Sequence, residues 1–287
     1  MGEAIRIGGA GGSEIGALPI EYEYTGASNV ECSVVNVDGV DRLAWQLNLL
    51  TSGTLKIKRV ATSILDIFLV GGGGGGGGSL DSGTDEAGGG GGGGGYTFTM
   101  TNISIALNTP YEIIIGAGGT GGAGYSGYAE NGKTGTQGGM TSAFGFTANG
   151  GSGGNGGYRQ STKNNTYYNG GAGGNGGSGG GHGGGQGHDA VGTGQHTTTR
   201  AFGETSGKLY ANGGNGGKGY FYVGGTTALG TKGGSNGSDG TETTGNSTSP
   251  AANTGGGGGG GNTFTSQQDR IGKNGASGIA ILRGRYS

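Results

Sequence analysis

Apolar and polar positions alternate over residues 30–37 and 43–50, with Asp38-Gly39 between them, and again over 55–60 after Thr51-Ser52-Gly53. A period of two turns one face toward a core and the other toward water, so these stretches predict strands joined as two hairpins. The apolar run Ile64-Leu65-Asp66-Ile67-Phe68-Leu69-Val70 predicts another strand. It passes directly into eight consecutive glycines, 71–78, and a second octet, 88–95, leads out into Tyr96-Thr97-Phe98-Thr99-Met100. Further strands are predicted over 111–115, with Pro110 at the first position where a ladder donor is dispensable, over 140–146, and over 279–283, beyond the last glycine run at 255–261. The strands at 64–70 and 279–283 bracket the glycines and are expected to share a sheet. Residues up to about Thr25, with a turn at Leu18-Pro19, predict no regular element.

Outside the pure runs, the residues that interrupt the glycines recur at every third position: Ser152, Asn155 and Tyr158; Ala172, Asn175 and Ser178; Asn212, Asn215 and Lys218; Ala117, Thr120, Ala123, Ser126 and Ala129. A period of three is neither α-helical nor strand-like. It matches the extended left-handed helix with three residues per turn, whose N–H and C=O groups point outward and find partners only on neighbouring segments. The connector at 79–87 is long enough to reverse the chain, which lays the two octets side by side. The fold class that follows is mainly β and irregular: a small antiparallel β framework clamping a lattice of parallel and antiparallel polyglycine II helices. Collagen is excluded, because the glycine pattern is inverted and the chain has only three prolines. A flexible Gly/Ser linker is disfavoured, because linkers do not alternate with apolar runs of this kind.

Composition narrows the function classes. Glycine supplies 85 of 287 residues and apolar residues only 29%, so the side-chain core is small and local. A formal net charge of −2 gives no electrostatic case for nucleic acid or an anionic membrane, and no apolar stretch is long enough for membrane insertion. The first residues lack the basic and apolar regions of a signal peptide. Cys32 is the single cysteine, among valines that mark a strand, and reads as a buried inert thiol.

Catalytic chemistry has little to stand on. Matches to G-x-G-x-x-G are expected by chance at this glycine content. His182, His188 and His196 with Asp189 nominally permit a metal site, but read as loop histidines. Asp85-Glu86 has no apolar surround to raise a carboxyl pKa for acid catalysis. The chain is expected to be no enzyme, with no cofactor and no metal.

Four stretches between the period-three segments differ in composition. They are rich in Tyr, Asn, Ser and Thr with scattered Arg: 125–131, 158–169, 195–200 and 220–222. Rigid amphipathic rings beside adaptable hydrogen-bonding groups are the chemistry of a binding surface, and aromatic faces suit sugar rings equally well. The candidate receptor-binding residues are Tyr125, Tyr128, Tyr158, Arg159, Tyr167, Tyr168, His196, Arg200, Tyr220 and Tyr222, with 158–169 the foremost loop. The competing reading gives these tyrosines a packing role at the ends of the glycine segments.

The segment Trp45-Gln46-Leu47-Asn48-Leu49-Leu50-Thr51-Ser52-Gly53-Thr54-Leu55, then Asp66-Ile67-Phe68-Leu69-Val70 with its octet, then 111–119 and the closing Gly275-Ala276-Ser277-Gly278-Ile279-Ala280-Ile281-Leu282-Arg283, resembles the glycine-rich domain of bacteriophage tail proteins. Related architecture is known in the receptor-binding adhesins at the tips of T-even-type long tail fibres and in the glycine-rich region of the anaplastic lymphoma kinase receptor family. The resemblance implies a monomeric sandwich of polyglycine II helices whose connecting loops touch the host. On this reading residues 1–26 form an attachment segment, 27–70 the framework hairpins, 71–274 the glycine-rich part and 275–287 the closing strand. The expected role is a phage tail virion protein, made in the host cytoplasm and displayed extracellularly. Its partners would be a host surface glycan or outer-surface protein, and other tail proteins or copies of itself. The alternatives are a self-assembling structural subunit of a virion or filament and an ice-binding protein, the latter suggested by the ladder Ala117, Thr120, Ala123 and Ser126.

Overall fold

The computed structural model describes residues 19–37, 40–60, 64–82, 86–127, 130–161, 166–172, 174–177, 200–204, 207–217, 219–221, 226–228, 249–263 and 270–285. Alternating patterns build the first strands, β1 (Ile20–Tyr24), β2 (Ser28–Val37), β3 (Val40–Leu49) and β4 (Gly53–Val60), and the apolar run builds β5 (Ile64–Val70). Two short strands separate the octets, β6 (Leu80–Asp81) and β7 (Glu86–Ala87). The remainder are β8 (Thr97–Ile103), β9 (Pro110–Ile113), β10 (Tyr125–Ser126), β11 (Thr141–Ala143), β12 (Phe146–Ala148), β13 (Tyr158–Ser161), β14 (Thr166–Asn169), β15 (Gly219–Phe221), β16 (Thr226–Ala228) and β17 (Ile279–Arg285). The protein is mainly β, with no α-helix among the described residues.

Two antiparallel sheets form the framework: a five-stranded sheet in the order β2-β3-β17-β5-β8 and a three-stranded sheet β1-β4-β9. The first predicted hairpin forms, with Val37 paired to Val40 across the turn. The second does not. β4 pairs with β1 and β9 rather than with β3, because Thr51 and Ser52 carry the chain across from one sheet to the other. Residues 20–24, expected to be irregular, form a strand whose Ile20-Glu21-Tyr22-Glu23-Tyr24 alternation lies against β4. The stretch 140–146 is a hairpin rather than one strand: Phe144 (φ 52°) and Gly145 (φ 82°) form its two-residue turn, which requires left-handed backbone at both positions. The first and last framework strands do share a sheet, with Ile279 opposite Val70 and Arg283 opposite Asp66.

Between the two sheets lies the main core. Trp45, Leu47, Leu49, Ile67, Leu69 and Leu282 face Ile20, Leu55, Ile57 and Ile113, and the β11–β12 hairpin closes one end with Ala143 and Ala148. Cys32 packs at its edge, and burial pushes the thiol pKa up. On the other face of the five-stranded sheet, Phe68, Val70, Ile279 and Ile281 pack under Tyr210 and Ala211. β5 is thus covered on both faces, which is why its sequence shows no alternation. Asp66, fully buried within it, accepts from Arg283 Nε at 3.0 Å and from the Asn102 amide at 3.1 Å.

Val70 delivers the chain into the first octet, where hydrogen bonds rotate through three directions. Gly71, Gly74 and Gly77 donate to Tyr96, just after the second octet, and to Gly93 and Gly90 within it; Gly72, Gly75 and Gly78 donate to Gly139, Thr136 and Lys133; Gly73, Gly76 and the following Ser79 donate to Ala276, Lys273 and Arg270. All three acceptor segments run antiparallel. The octet carbonyls are engaged the same way by parallel segments: Gly151, Gly154 and Gly157 donate to Gly72, Gly75 and Gly78, while Gly119, Gly122 and Tyr125 donate to Gly73, Gly76 and Ser79. Gly258 and Gly261 donate to Gly74 and Gly77. Six segments therefore surround the first octet, at backbone distances of 2.8–3.0 Å. A Cβ built at each of its eight glycines would lie 2.0 Å from a neighbouring carbonyl oxygen, so no larger residue fits. Where a segment has an open side, one position in three is free, and Ala117, Thr120 and Ala123 occupy it, exposed.

Candidate functional site

The first octet starts at the framework, where Val70 ends β5, and passes at its far end into Ser79 and β6. Several connections converge there. β10 pairs in parallel with β6, which pairs antiparallel with β7. Segment 151–157 runs out into β13, which returns as β14, and Gly217 donates to Gly89 just before β15 begins. β14 and β15 both lie against β7.

The platform under these loops is small and fixed. Leu80 and Ala87 are buried and Tyr125 packs half-buried against them. The Ser79 hydroxyl, fully buried, donates to the Asn262 carbonyl at 3.0 Å. Arg270 reaches across from 270–276 to form an ion pair with the nearly buried Asp81. Burial raises the Glu86 carboxyl above its ordinary pKa and the Asp81 charge adds to the rise, while a Thr263 hydrogen bond and Arg270 pull the other way. These groups fasten the end of the bundle to the segment after the last glycine run.

Of the predicted receptor-binding residues, Tyr125, Tyr158, Arg159, Tyr167, Tyr168 and Tyr220 all fall on strands at this far end. Tyr158 is half-buried and Arg159 exposed, its backbone N–H held by Asn131 Oδ1 at 2.9 Å. In the β13–β14 hairpin, Arg159 stands opposite Tyr168 and Gln160 opposite Tyr167. Asn169 secures the hairpin base by donating to Gln160 Oε1 at 3.2 Å. Arg200 does not belong to this group. It bridges to Leu209 and its guanidinium donates to the Gly207 carbonyl, beside the turn Ala201–Gly203 that lies on β5 and β8 at the framework end. Tyr128, His196 and Tyr222, like His182, His188 and Asp189, lie outside the described residues.

Sequence reasoning missed the pair Asp81 and Arg270, gave Asn131 no role of its own within the stretch 125–131, and set Glu86 aside as lacking an apolar surround although burial raises its carboxyl pKa. Asp81 and Arg270 are 189 positions apart, and only the three-residue register of the bundle brings them together. A description of a glycine-rich domain matches residues 50–285, which takes in both octets and the closing strand. The chain belongs to the glycine-rich domain family. The match to the glycine-rich domain begins just after β3 and ends with β17, so β1, β2 and β3 precede it. No curated protein matches the chain.

Proposed function

We propose that this glycine-rich domain is a polyglycine II lattice that presents variable Tyr/Asn/Thr loops for attachment to a host surface, as part of a phage tail. The observation that carries the reading is convergence: six of the ten residues picked out for binding chemistry fall at one end of the hydrogen-bonded bundle, opposite the framework. A bundle held by backbone bonds leaves its end loops free in sequence, as suits a recognition surface on a rigid scaffold. The partner would be a host surface glycan or outer-surface protein, met by aromatic rings and neutral hydrogen-bonding groups. The protein would act in the virion, with the framework end nearer the particle and no part for nucleic acid, cofactor or catalysis.

The test is binding of the purified chain to arrays of bacterial surface glycans and to host cells. Tyr167→Ala with Tyr168→Ala is expected to cut binding at least about tenfold, equivalent to about 1.4 kcal/mol, while the melting temperature stays within a few degrees. Loss of binding and stability together would make these tyrosines structural and overturn their assignment.

A second reading, self-assembly into a filament, has one observation in its favour. β2 is ten residues long and, among the described residues, pairs on one side only, and an open strand edge can recruit a further copy. Light scattering at rising concentration separates the two: a fixed small mass favours attachment, and growing polymers favour the subunit.

A further inference from the structure

On its outer face the five-stranded sheet changes character halfway across. Over β5 and β17 it carries Phe68, Val70, Ile279 and Ile281, covered by the segment with Tyr210 and Ala211, beside the Asp66–Arg283 pair. Over β3 and β2 the same face carries Gln46 and Asn48 opposite Glu31 and Asn29, in register. Where the cover stops, a cavity of about 420 Å³ opens against this polar strip, within the ~300–1,000 Å³ typical of small-molecule sites.

The polar strip is ordered as a relay. Gln46 Nε2 donates to Asn48 Oδ1 at 2.8 Å, and Asn48 Nδ2 donates to Glu31 Oε1 at 2.7 Å. Each amide group carries a second hydrogen, and the carboxylate and amide oxygens retain further lone pairs, so the strip offers donors and acceptors side by side. The opposite wall is rigid. Asn253 sits in left-handed backbone (φ 55°) and donates through Nδ2 to Leu50 O at 2.7 Å and Gly278 O at 2.9 Å. Charge around the cavity is nearly balanced: Arg283 Nη1 holds Glu204 at 2.7 Å, and Lys208, which lines the cavity as Glu31 does, lies 5.0 Å over the Tyr210 ring.

We propose that this cavity binds a neutral, hydroxyl-rich ligand of one or two sugar units. A sugar hydroxyl both donates and accepts, which is what alternating amide and carboxylate groups on a strand pair can satisfy, whereas an anion would meet Glu31 and a purely apolar ligand would strand the amides unpaired. Apolar Leu50 and Ile279 in the lining give the ring face a surface to lie on. The site lies at the framework end and is independent of the loops at the far end.

The experiment is saturation-transfer NMR of the full chain with D-glucose, D-galactose, D-mannose and N-acetyl-D-glucosamine at roughly 10 mM, the range of weak single-sugar affinities, followed by titration of any binder. At least one sugar is expected to bind. Ala252→Trp, at an exposed rim residue, fills the mouth without touching the core, and Gln46→Leu removes the first member of the relay. Each should weaken binding at least about tenfold, while Ala117→Ser, on an open side of the glycine bundle and away from the cavity, leaves it unchanged. Failure of all four sugars to bind, or binding indifferent to Ala252→Trp, would overturn the proposal. If Gln46→Leu does not fold, Ala252→Trp alone decides.

Discussion

Gly75 illustrates the constraint at residue scale. Its N–H reaches Thr136, its carbonyl accepts from Gly154, and a methyl added at Cα would lie 2.0 Å from the Thr120 carbonyl oxygen. No flexible side chain can give way, because the atoms in contact are backbone. Gly75→Ala is therefore expected to cost about 4 kcal/mol or more, at the extreme of single substitutions, whereas Ala117→Ser on an open side should stay within about 0.5 kcal/mol. Chemical denaturation of the two variants checks the contrast. Asp66 is a second sensitive position. Asp66→Ala leaves Arg283 without its fully buried partner, and the expected loss is about 3 kcal/mol, tempered by Glu204, which also holds the guanidinium. Tyr210 adds a pH dependence. Burial, then the Glu31 and Glu204 charges, push its phenol up to about 12 from 10.0, and burial does the same to Tyr24. The folded state keeps these protons where the unfolded chain releases them, so their contribution is full below about pH 10 and is lost as pH rises toward 12. Melting temperature should fall over that window, less steeply in Tyr210→Phe.

Elements show which signals the chain carries openly. Alternation over 30–37 and 43–49 is local, and the β2–β3 hairpin follows from it directly. Alternation over 55–60 is as clear, but it reports only that a face is buried, not against which sheet. The β3–β4 hairpin failed for that reason, since a short turn serves equally to change sheets. The strand at 20–24 was overlooked because its apolar positions are mostly tyrosines, which pack half-buried against the core edge. In the β11–β12 hairpin, the Phe144-Gly145 turn was hidden inside an apolar run. Since Gly145 has φ 82° with open space around it, Gly145→Ala should cost about 1 kcal/mol through backbone strain alone, measurable by thermal melting.

For the whole molecule, side-chain burial and backbone bonding divide the work. Two sheets close over an apolar core at one end, and from there glycine segments extend with neighbours on up to six sides. The period of three reflects this division: a segment with every direction occupied is all glycine, and one with an open side carries a larger residue at each third position. That much is written in the sequence, as is the adjacency of the two octets. Which other segments are neighbours is not, because every glycine run offers the same donors and acceptors, and the choice is made by chain direction and by anchors such as Asp81 with Arg270. The candidate site was legible as composition, in loops rich in Tyr and Asn, while their gathering at one end and the exclusion of Arg200 depend on those pairings.

Backbone hydrogen bonds hold the octets in all directions and so make them the support of the end loops. Amide hydrogen exchange measured by mass spectrometry on peptides covering 71–78 and 88–95 tests it directly. Residues 72–78 are expected to exchange as slowly as β5 and β17, opening only with global unfolding. Exchange of those glycines at the rate of an unstructured chain, while β5 and β17 remain protected, would contradict it.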